Sequence, residues 1–446
     1  MRMFISKSRR RRRRWPIVLA VVIALAGVGG ALAYDELVKA PGDVTNPDVE
    51  FAAPDPEPGA GDEPRRGKRD TRVLWPTYGL NPARTRWLQR DLDPPFKRVW
   101  HFGGSKLIEF PPVLAKQTLF FTKNDGEAYA ISARTGNVRW RRDLGYKSAS
   151  SPAWSKNRLF ITILERRPGS AGKIYALGAR HGRILWAKDL PSRSESSPVA
   201  IDGRIFFGTE NGTVYALRAK DGKEVWRYRA AGSVKAALAY ADGRLYFGDY
   251  AGQVTALDAS TGRRVWRTGT EGRSFGRSGN FYSTPTVAFG RVYLGNTDTR
   301  VYSLSANTGE LAWSRSTGGF VYGAPAVANV EGAGPAVYIG SYDGNFYALD
   351  AKDGSTLWTH RAGGRISGSP TVVGDIVYFA NLGAKSTTGL DAASGRKRWS
   401  FGRGSFTPVV SDGDRLYVTG YSSLYAFEPK KERSRRGRSR SRSGSS

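Results

Sequence analysis

The sequence predicts an all-β protein, an eight-bladed β-propeller with four strands in each blade. Seven segments that end in tryptophan recur at intervals of 40 to 47 residues within the 446-residue chain, a period typical of propeller blades. Short aromatic and β-branched runs alternate with Asp-Gly and Asn-Gly pairs, which are the turn residues of tight hairpins. The 54 glycines and 23 prolines have no collagen-like period, so they indicate many turns between short elements.

The repeated segment has the form G-x-x-Y-A-L-x-A-x-x-G-x-x-x-W. Its clearest copies read TALDASTGRRVW, which ends at Trp266, and YALDAKDGSTLW, which ends at Trp358. No segment of the array keeps a sustained helical period of apolar residues, which argues against a helical repeat. The seven copies end at Trp140, Trp186, Trp226, Trp266, Trp313, Trp358 and Trp399.

The strands of one blade are predicted from Ser196–Trp226. We expect an inner strand at Pro198–Ile201, a second at Arg204–Gly208, a third at Thr213–Leu217 and a fourth at Lys223–Trp226. Asp-Gly or Asn-Gly pairs separate them and supply the positive φ that tight hairpins need.

The two ends of the array predict how the ring closes. The last unit, from Thr407 to Phe427, supplies three strands and stops before its tryptophan strand. A lone tryptophan strand, Lys97 to Trp100, precedes the first unit. Joining the two completes an eighth blade and removes exposed sheet edges. We therefore expect eight equivalent tryptophans, Trp100 included, to pack between neighbouring blades.

Composition divides the chain into five parts. Residues 1–14 form a basic cytoplasmic segment, and residues 15–34 form a transmembrane anchor or a signal peptide. Residues 35–72 are acidic and rich in Pro, as expected of a disordered tether. The propeller covers residues 73–427, and residues 428–446 form a disordered tail rich in Arg and Ser.

The N-terminus predicts that the propeller lies outside the cytoplasm, in the cell envelope. The 20 residues from Trp15 to Tyr34 are enough for a helix to cross a bilayer. The cluster Arg9–Arg14 before them keeps the N-terminus inside by the positive-inside rule. Cleavage after Ala33 would instead release a secreted propeller, but the apolar stretch is long for a signal peptide, which favours an uncleaved single-pass anchor.

The charge and the cysteine count limit the function classes. The formal net charge is +30, of which residues 73–427 carry +20, so an acidic partner or surface is expected, against the alternative of a merely solvated basic surface. The absence of cysteine excludes disulfides, thiolate metal sites and a cysteine nucleophile. The Arg-Ser tail resembles an RNA-binding tail, but export argues against nucleic acid and suits an anionic envelope polymer or lipid head groups better.

The repeat resembles that of the pyrroloquinoline-quinone-like eight-bladed propellers. The segment LWPTYGLNPARTR, Leu74 to Arg86, also resembles the lead into such propellers, so the resemblance covers residues 74–427. One branch of that family, the quinoprotein dehydrogenases, implies a bound quinone, a Ca²⁺ and a catalytic Asp. The other branch is non-catalytic and is similar to the outer-membrane barrel-assembly lipoprotein, which implies docking surfaces at the rim and channel mouths.

We expect the non-catalytic role: a monomeric, membrane-anchored binding or scaffolding module for an anionic ligand, an envelope polymer or a protein partner, with no cofactor and no metal. The chain lacks the cysteines and large insertions of the dehydrogenases, and its three histidines lie far apart in sequence. Asp249 and Asp298 could approach the channel, but their neighbours indicate turn residues. The alternative is a quinone-binding oxidoreductase or redox sensor.

A repeated position suggests a ligand site at the channel mouth. Five residues before the Pro that opens an inner strand, four blades carry a cation, and a fifth blade has one close by. Aromatic residues accompany these cations in two connections, a combination that suits sugars, peptides or anionic polymers. A solvated surface is the competing interpretation for each single residue. The candidates are Lys147, Arg193, Lys235, Arg273, Arg277, Phe281, Tyr282, Phe320, Tyr322, Arg365 and Arg403.

Overall fold

The computed structural model describes residues 42–52, 75–165, 171–270, 279–407 and 409–430. These residues form eight antiparallel blades and no helix. Inner strands of successive blades contact one another around the centre of the ring. The predicted eight-bladed propeller with four-stranded blades is therefore confirmed.

Each blade has a short inner strand, and in blades 1 to 7 the strands follow one another outward in the order of the chain. The strands, from the inside outward, are Val113–Ala115, Thr118–Thr122, Glu127–Ser132 and Val138–Asp143 in blade 1; Ala153–Ser155, Arg158–Ile163, Gly172–Gly178 and Ile184–Leu190 in blade 2; Val199–Ile201, Arg204–Gly208, Thr213–Arg218 and Glu224–Arg229 in blade 3; Ala239–Ala241, Arg244–Gly248, Gln253–Asp258 and Arg264–Gly269 in blade 4; Thr286–Ala288, Arg291–Gly295, Arg300–Ser305 and Leu311–Ser316 in blade 5; Ala326–Val330, Gly334–Gly340, Asn345–Asp350 and Thr356–Arg361 in blade 6; Thr371–Val373, Ile376–Asn381, Ser386–Asp391 and Lys397–Phe401 in blade 7; and Val409–Ser411, Leu416–Thr419, Leu424–Pro429 and Phe96–Phe102 in blade 8.

The ring closes as the sequence predicts. The strand Phe96–Phe102 pairs antiparallel with Leu424–Pro429, with Trp100 opposite Ala426. Blade 8 thus joins the first strand of the ring to the last three.

The tryptophans lie between blades, as predicted, and the structure explains the Ala and Gly of the motif. The Trp186 indole N–H of blade 2 donates to the Ala219 carbonyl of blade 3 at 3.1 Å, and Gly222 leaves room for the ring. The same contact recurs from Trp100 to Ala133, Trp140 to Ala179, Trp226 to Ala259, Trp266 to Ala306, Trp313 to Ala351 and Trp358 to Ala392.

Trp399 is the exception among the eight. It faces blade 8, where the third strand ends at Pro429 and no Ala-x-x-Gly turn follows. Its ring instead packs edge-on against Phe427 at 5.4 Å and Phe96 at 5.6 Å. The position between blades is kept, but the partner is aromatic.

The predicted disordered tether is wrong for residues 43–52, which form a strap along blade 5. Val44–Thr45 pairs antiparallel with the outer strand, Thr45 opposite Trp313. The Arg291 guanidinium donates to the carbonyl oxygens of Val49 at 2.6 Å and Glu50 at 2.7 Å. An acidic, Pro-rich composition gave no sign of this order, because the partner groups belong to a blade more than 240 residues away.

Several predicted segments lie outside the described residues. These are the basic segment 1–14, the anchor 15–34, most of the tether and the tail from residue 431. Within the described part of the chain, no helix is long and apolar enough to cross a membrane.

Candidate functional site

A plug, residues 75–90, occupies the centre of the ring. Its backbone bonds in turn to the inner strands of blades 1, 2, 4, 5, 6 and 7. The plug carbonyl oxygens of Pro76, Pro82, Ala83, Thr85 and Arg86 accept hydrogen bonds from the N–H groups of Trp154, Tyr240, Val287, Val327 and Val372. Trp87–Leu88 then pairs in parallel with the inner strand of blade 7.

Two buried arginines hold the plug together. Arg84 donates to the Leu238 carbonyl at 2.9 Å and to Thr77 Oγ1 at 2.7 Å. Arg86 donates to the Arg84 carbonyl at 2.7 Å, and its guanidinium lies 4.6 Å from the centre of the Tyr78 ring. Burial, and then the neighbouring charge of Arg86, lowers the pKa of Arg84 to about 9. Arg84 therefore stays charged at neutral pH, and burial also lowers the pKa of Arg86.

A cavity of about 320 Å³ lies above the plug at one mouth of the ring. Its floor includes Tyr78, and its wall comes from the connections between an outer strand and the next inner strand, together with two turns between second and third strands. The wall residues used below are Glu109, Glu195, Lys235, Tyr250, Tyr282, Tyr322, Tyr342 and Thr407.

Four tyrosines form a continuous aromatic wall across blades 4 to 6. Ring centres lie 6.4 Å apart between Tyr250 and Tyr282, 6.0 Å between Tyr282 and Tyr322, and 4.7 Å between Tyr322 and Tyr342. Burial raises the pKa of each of the first three phenols. They are neutral at physiological pH and offer hydroxyl groups and ring faces to a ligand.

Next to these tyrosines, the wall carries acids and one lysine. Lys235 Nζ lies 3.2 Å from Glu195 Oε1 and 3.1 Å from Glu210 Oε1. The Tyr282 hydroxyl donates to Glu195 Oε2 at 3.3 Å. Burial raises the pKa of Glu195, and it also raises that of Glu109, to which the charge of Glu195 contributes further. The only lysine of the wall among the described residues is thus already paired with carboxylates.

The structure brings three of the predicted candidates into the cavity, namely Lys235, Tyr282 and Tyr322. Phe281 faces away from it and is fully buried between blades 4 and 5. Phe320 packs against Tyr322 at 5.8 Å, at the rim. Arg273 and Arg277 lie outside the described residues.

The four cations at the repeated position do not line the cavity. Arg193 lies 3.9 Å from Glu210, Lys147 Nζ lies over the Tyr146 ring, and the Arg365 guanidinium lies 5.8 Å from the centre of the Tyr342 ring. Arg403 is exposed. An equal offset in sequence places them on equivalent loops, but at the rim and not on the cavity wall.

Sequence reasoning missed Tyr78, Glu109, Glu195, Tyr250 and Tyr342. A signal existed for the last two, since Tyr follows the second strand in GDYAGQV and in GSYDGNF. Nothing local distinguished the two glutamates. Their role appears only when connections from distant blades meet at the mouth.

Asp249 and Asp298 are turn residues, as expected. Asp249 Oδ1 accepts from the N–H groups of Ala251 at 2.9 Å and Gln253 at 3.1 Å. Asp298 Oδ1 accepts from the Arg300 N–H at 3.0 Å. Both carboxylates serve the hairpin between the second and third strands of their blades.

The family model described as outer membrane protein assembly factor BamB matches residues 80–167, 170–320 and 323–436. The chain belongs to this family. The match covers most of the propeller, and it confirms the predicted resemblance. A search among curated proteins found no match.

Solved structures show the same fold at low identity. BamB from Moraxella catarrhalis superposes with a TM-score of 0.62 and 18% identity, over 76% of this chain and 99% of that one. A quinohemoprotein alcohol dehydrogenase from Pseudomonas putida HK5 gives 0.68 and 14%, over 80% of each chain. That of Comamonas testosteroni gives 0.64 and 14%, over 80% of this chain and 81% of that one. These similarities establish the propeller fold alone.

Proposed function

We propose that this protein is a non-catalytic binding propeller that docks a segment of a partner protein at the tyrosine-lined mouth. The observation that carries the proposal is the cavity itself, which is walled by tyrosines and carboxylates and closed behind by the plug. The family model is described as an outer membrane protein assembly factor, and membership of that family supports a scaffolding role over an enzymatic one.

The cavity suits a short peptide segment. A volume of about 320 Å³ is at the lower end for ligand pockets and accepts a few side chains. Tyrosines contribute large contact areas at a low entropic cost, which is why they are common in protein-binding surfaces. Main-chain and side-chain donors of a peptide would find acceptors in the glutamates and phenols of the wall.

The wall favours a segment that carries a positive charge. Glu109 and Glu195 line the cavity, whereas Lys235 is held between Glu195 and Glu210. An anionic ligand at this point would meet carboxylates first. We therefore propose that the mouth binds a Lys or Arg side chain of a partner instead of the anionic ligand that the sequence predicts. Anionic polymers would bind the basic outer surface.

Site-specific crosslinking tests the proposal. A photoreactive p-benzoylphenylalanine replaces Tyr322 in the mouth or, as a control, Val225, which is 44% exposed on an outer strand. We expect a discrete crosslinked partner from position 322 in intact cells and none from position 225. Glu109→Gln combined with Glu195→Gln should weaken that product. The same products from both positions would contradict docking at the mouth.

The alternative, a quinone-dependent oxidoreductase, fits the mouth poorly. Pyrroloquinoline quinone is a tricarboxylate, and the wall would oppose it with Glu109 and Glu195 while its lysine is already paired. Among the described residues, no cluster of three or more His, Asp or Glu side chains could hold a metal ion such as Ca²⁺. A quinone absorption that survives dialysis of the purified protein would overturn the non-catalytic proposal.

We further propose that the propeller lies outside the cytoplasm on a single N-terminal anchor. The Arg cluster and the apolar run in residues 9–34 support this orientation. A reporter that is active only after export, fused to the C-terminus, should be active. Activity of a cytoplasm-specific reporter instead would show that the chain is not exported.

A further inference from the structure

A second, much smaller cavity lies beneath the mouth, between the plug and the inner ends of blades 7 and 8. Its volume is about 10 Å³, which is room for about one water-sized sphere. Trp75, Arg86 and Thr407 line it, and Tyr78 and Thr407 belong to both cavities. The small cavity thus borders the floor of the mouth.

Three donors at the small cavity have no hydrogen-bond partner among the described residues. They are Trp75 Nε1, Arg86 Nη2 and Thr407 Oγ1. The residues are only 2%, 2% and 6% exposed, so bulk water does not satisfy them. An unpaired buried donor is costly and is rare in native proteins, and three at one cavity point to a missing acceptor.

The buried positive charges near the cavity also require an anion. Arg84 and Arg86 are both buried in the plug. The charged neighbour of Arg84 is Arg86 itself, and among the described residues no carboxylate acts on either group. Arg84 has several carbonyl acceptors, whereas Arg86 Nη2 has none. A buried cation is expected to have an anion close by.

We propose that the small cavity binds a monatomic anion of the halide class, chloride in the cell. Arginine and tryptophan nitrogens can only donate hydrogen bonds, so a species that only accepts suits them. A water molecule would bring two hydrogens of its own and no charge to offset Arg86. The Tyr78 hydroxyl and Ser369 Oγ, which also border the cavity, are already bonded to each other at 2.8 Å.

The anion would stabilise the plug and the floor of the mouth. Arg86 lies against the Tyr78 ring, so a fixed guanidinium fixes that ring. This inference does not depend on what docks above, because its residues are donors of the plug and of blade 8.

Crystals of the full chain soaked in bromide provide the direct test. We expect an anomalous peak in contact with Trp75 Nε1, Arg86 Nη2 and Thr407 Oγ1. Density for a water molecule, or none, with no anomalous signal at this place would overturn the proposal.

A solution test uses variants that each remove one of the three donors. Bromide replaces gluconate, which is far too large for the cavity, at constant ionic strength while the melting temperature is recorded. We expect a saturable rise for the native chain. Thr407→Val and Trp75→Phe each remove one donor, so the half-saturating bromide concentration should rise about tenfold.

The matched control is Thr255→Val. Thr255 Oγ1 is also buried without a hydrogen-bond partner, but it lies on the third strand of blade 4. Its bromide response should equal that of the native chain, and so should that of a variant that changes only the mouth, Glu195→Gln. An equal bromide response from all variants would mean diffuse anion binding to a basic protein and would refute the site.

Discussion

At the scale of single residues, one contact between blades explains the repeated motif. In every blade except blade 7, the tryptophan lies over the glycine of the next blade, and its indole N–H bonds to the alanine carbonyl three residues before that glycine. Gly222 has φ +72°, and a Cβ there would lie 2.8 Å from the Trp186 ring. The ring cannot move aside without losing its hydrogen bond to Ala219.

Gly222→Ala should therefore lower the free energy of unfolding by about 2–4 kcal/mol, from backbone strain together with the clash against Trp186. Gly203→Ala is the matched control, because Gly203 has φ +75° and no atom within 4 Å of an added Cβ. Strain alone should cost about 1 kcal/mol there. Urea unfolding of both variants measures the difference, and equal losses would show that the contact with Trp186 is unimportant.

Glu109 gives the mouth a pH dependence. Burial raises its pKa, so the folded protein prefers the protonated carboxyl and is destabilised once the group ionises. This penalty is absent below the unfolded pKa of about 4.5 and grows as the pH rises through the folded pKa. Glu109→Gln should therefore stabilise the protein at neutral pH and lose that advantage near pH 4.

Thermal melts of Glu109→Gln at about pH 7 and about pH 4 measure this difference. Glu331→Gln changes an exposed carboxylate on a turn of blade 6 and serves as the control. A gain for Glu109→Gln that is the same at both pH values would contradict the role of burial.

At the scale of elements, the strap makes blade 5 unlike its neighbours. The outer strands of blades 2, 3, 4, 6 and 8 expose an aliphatic residue just before the tryptophan, such as Val225 and Val265 at 44%. Under the strap, Ala312 is 1% exposed and Trp313 is fully buried, with Val49 packed against them. Ser316 N–H and Arg300 both bond to Asp43 at the start of the strap.

A chain that begins at residue 53 should be less stable than one that begins at residue 43. Loss of the strap exposes the Val49 and Phe51 contacts and removes the acceptors that the strap provides to Arg291 and Arg300, which we expect to cost about 3–5 kcal/mol. Melting temperatures measure the loss, and amide exchange should rise in Leu311–Ser316. Unchanged exchange in that strand would show that the strap adds nothing to blade 5.

At the scale of the whole molecule, closure makes the eight blades one structure. The outer strand of blade 8 comes from the beginning of the ring and its other three strands from the end. Apolar clusters span neighbouring blades, and one of them joins Tyr417 and Ala426 of blade 8 to Leu119 and Tyr129 of blade 1. Opening the ring between two blades would expose the apolar face of each of them.

Deletion of residues 97–101 should destabilise the protein far more than removal of residues 431–446. The first deletion removes Trp100 and the pairing with Leu424–Pro429, a loss of at least about 5 kcal/mol. The second removes a charged tail beyond the last strand. Melting temperatures of the two truncated proteins compare them, and equal values would refute closure by this strand.

The sequence by itself determined the period, the number of blades, the hairpin turns and the closing strand. Each of these depends on residues that are close in the chain or on a pattern that repeats, such as Trp186 with its Gly and Asp-Gly turn. It also placed Lys235, Tyr282 and Tyr322 at the mouth, since loops in equivalent repeats meet on one face. The prediction that Phe281 lies beside them is wrong, because adjacent residues of an extended segment point in opposite directions.

Only the tertiary structure decided the strap, the plug and the electrostatics of the mouth. Arg84, Glu109 and Glu195 have neighbours from distant blades, and their burial depends on how those blades converge. The charge pattern along the chain suggested converging cations, whereas folding paired Lys235 with acids. The physical reason is that burial and Coulomb interactions depend on distances in space. The repeat of some forty residues sets these distances for the strands of the blades, but not for the plug, the strap and the connections that lie outside the repeated motif.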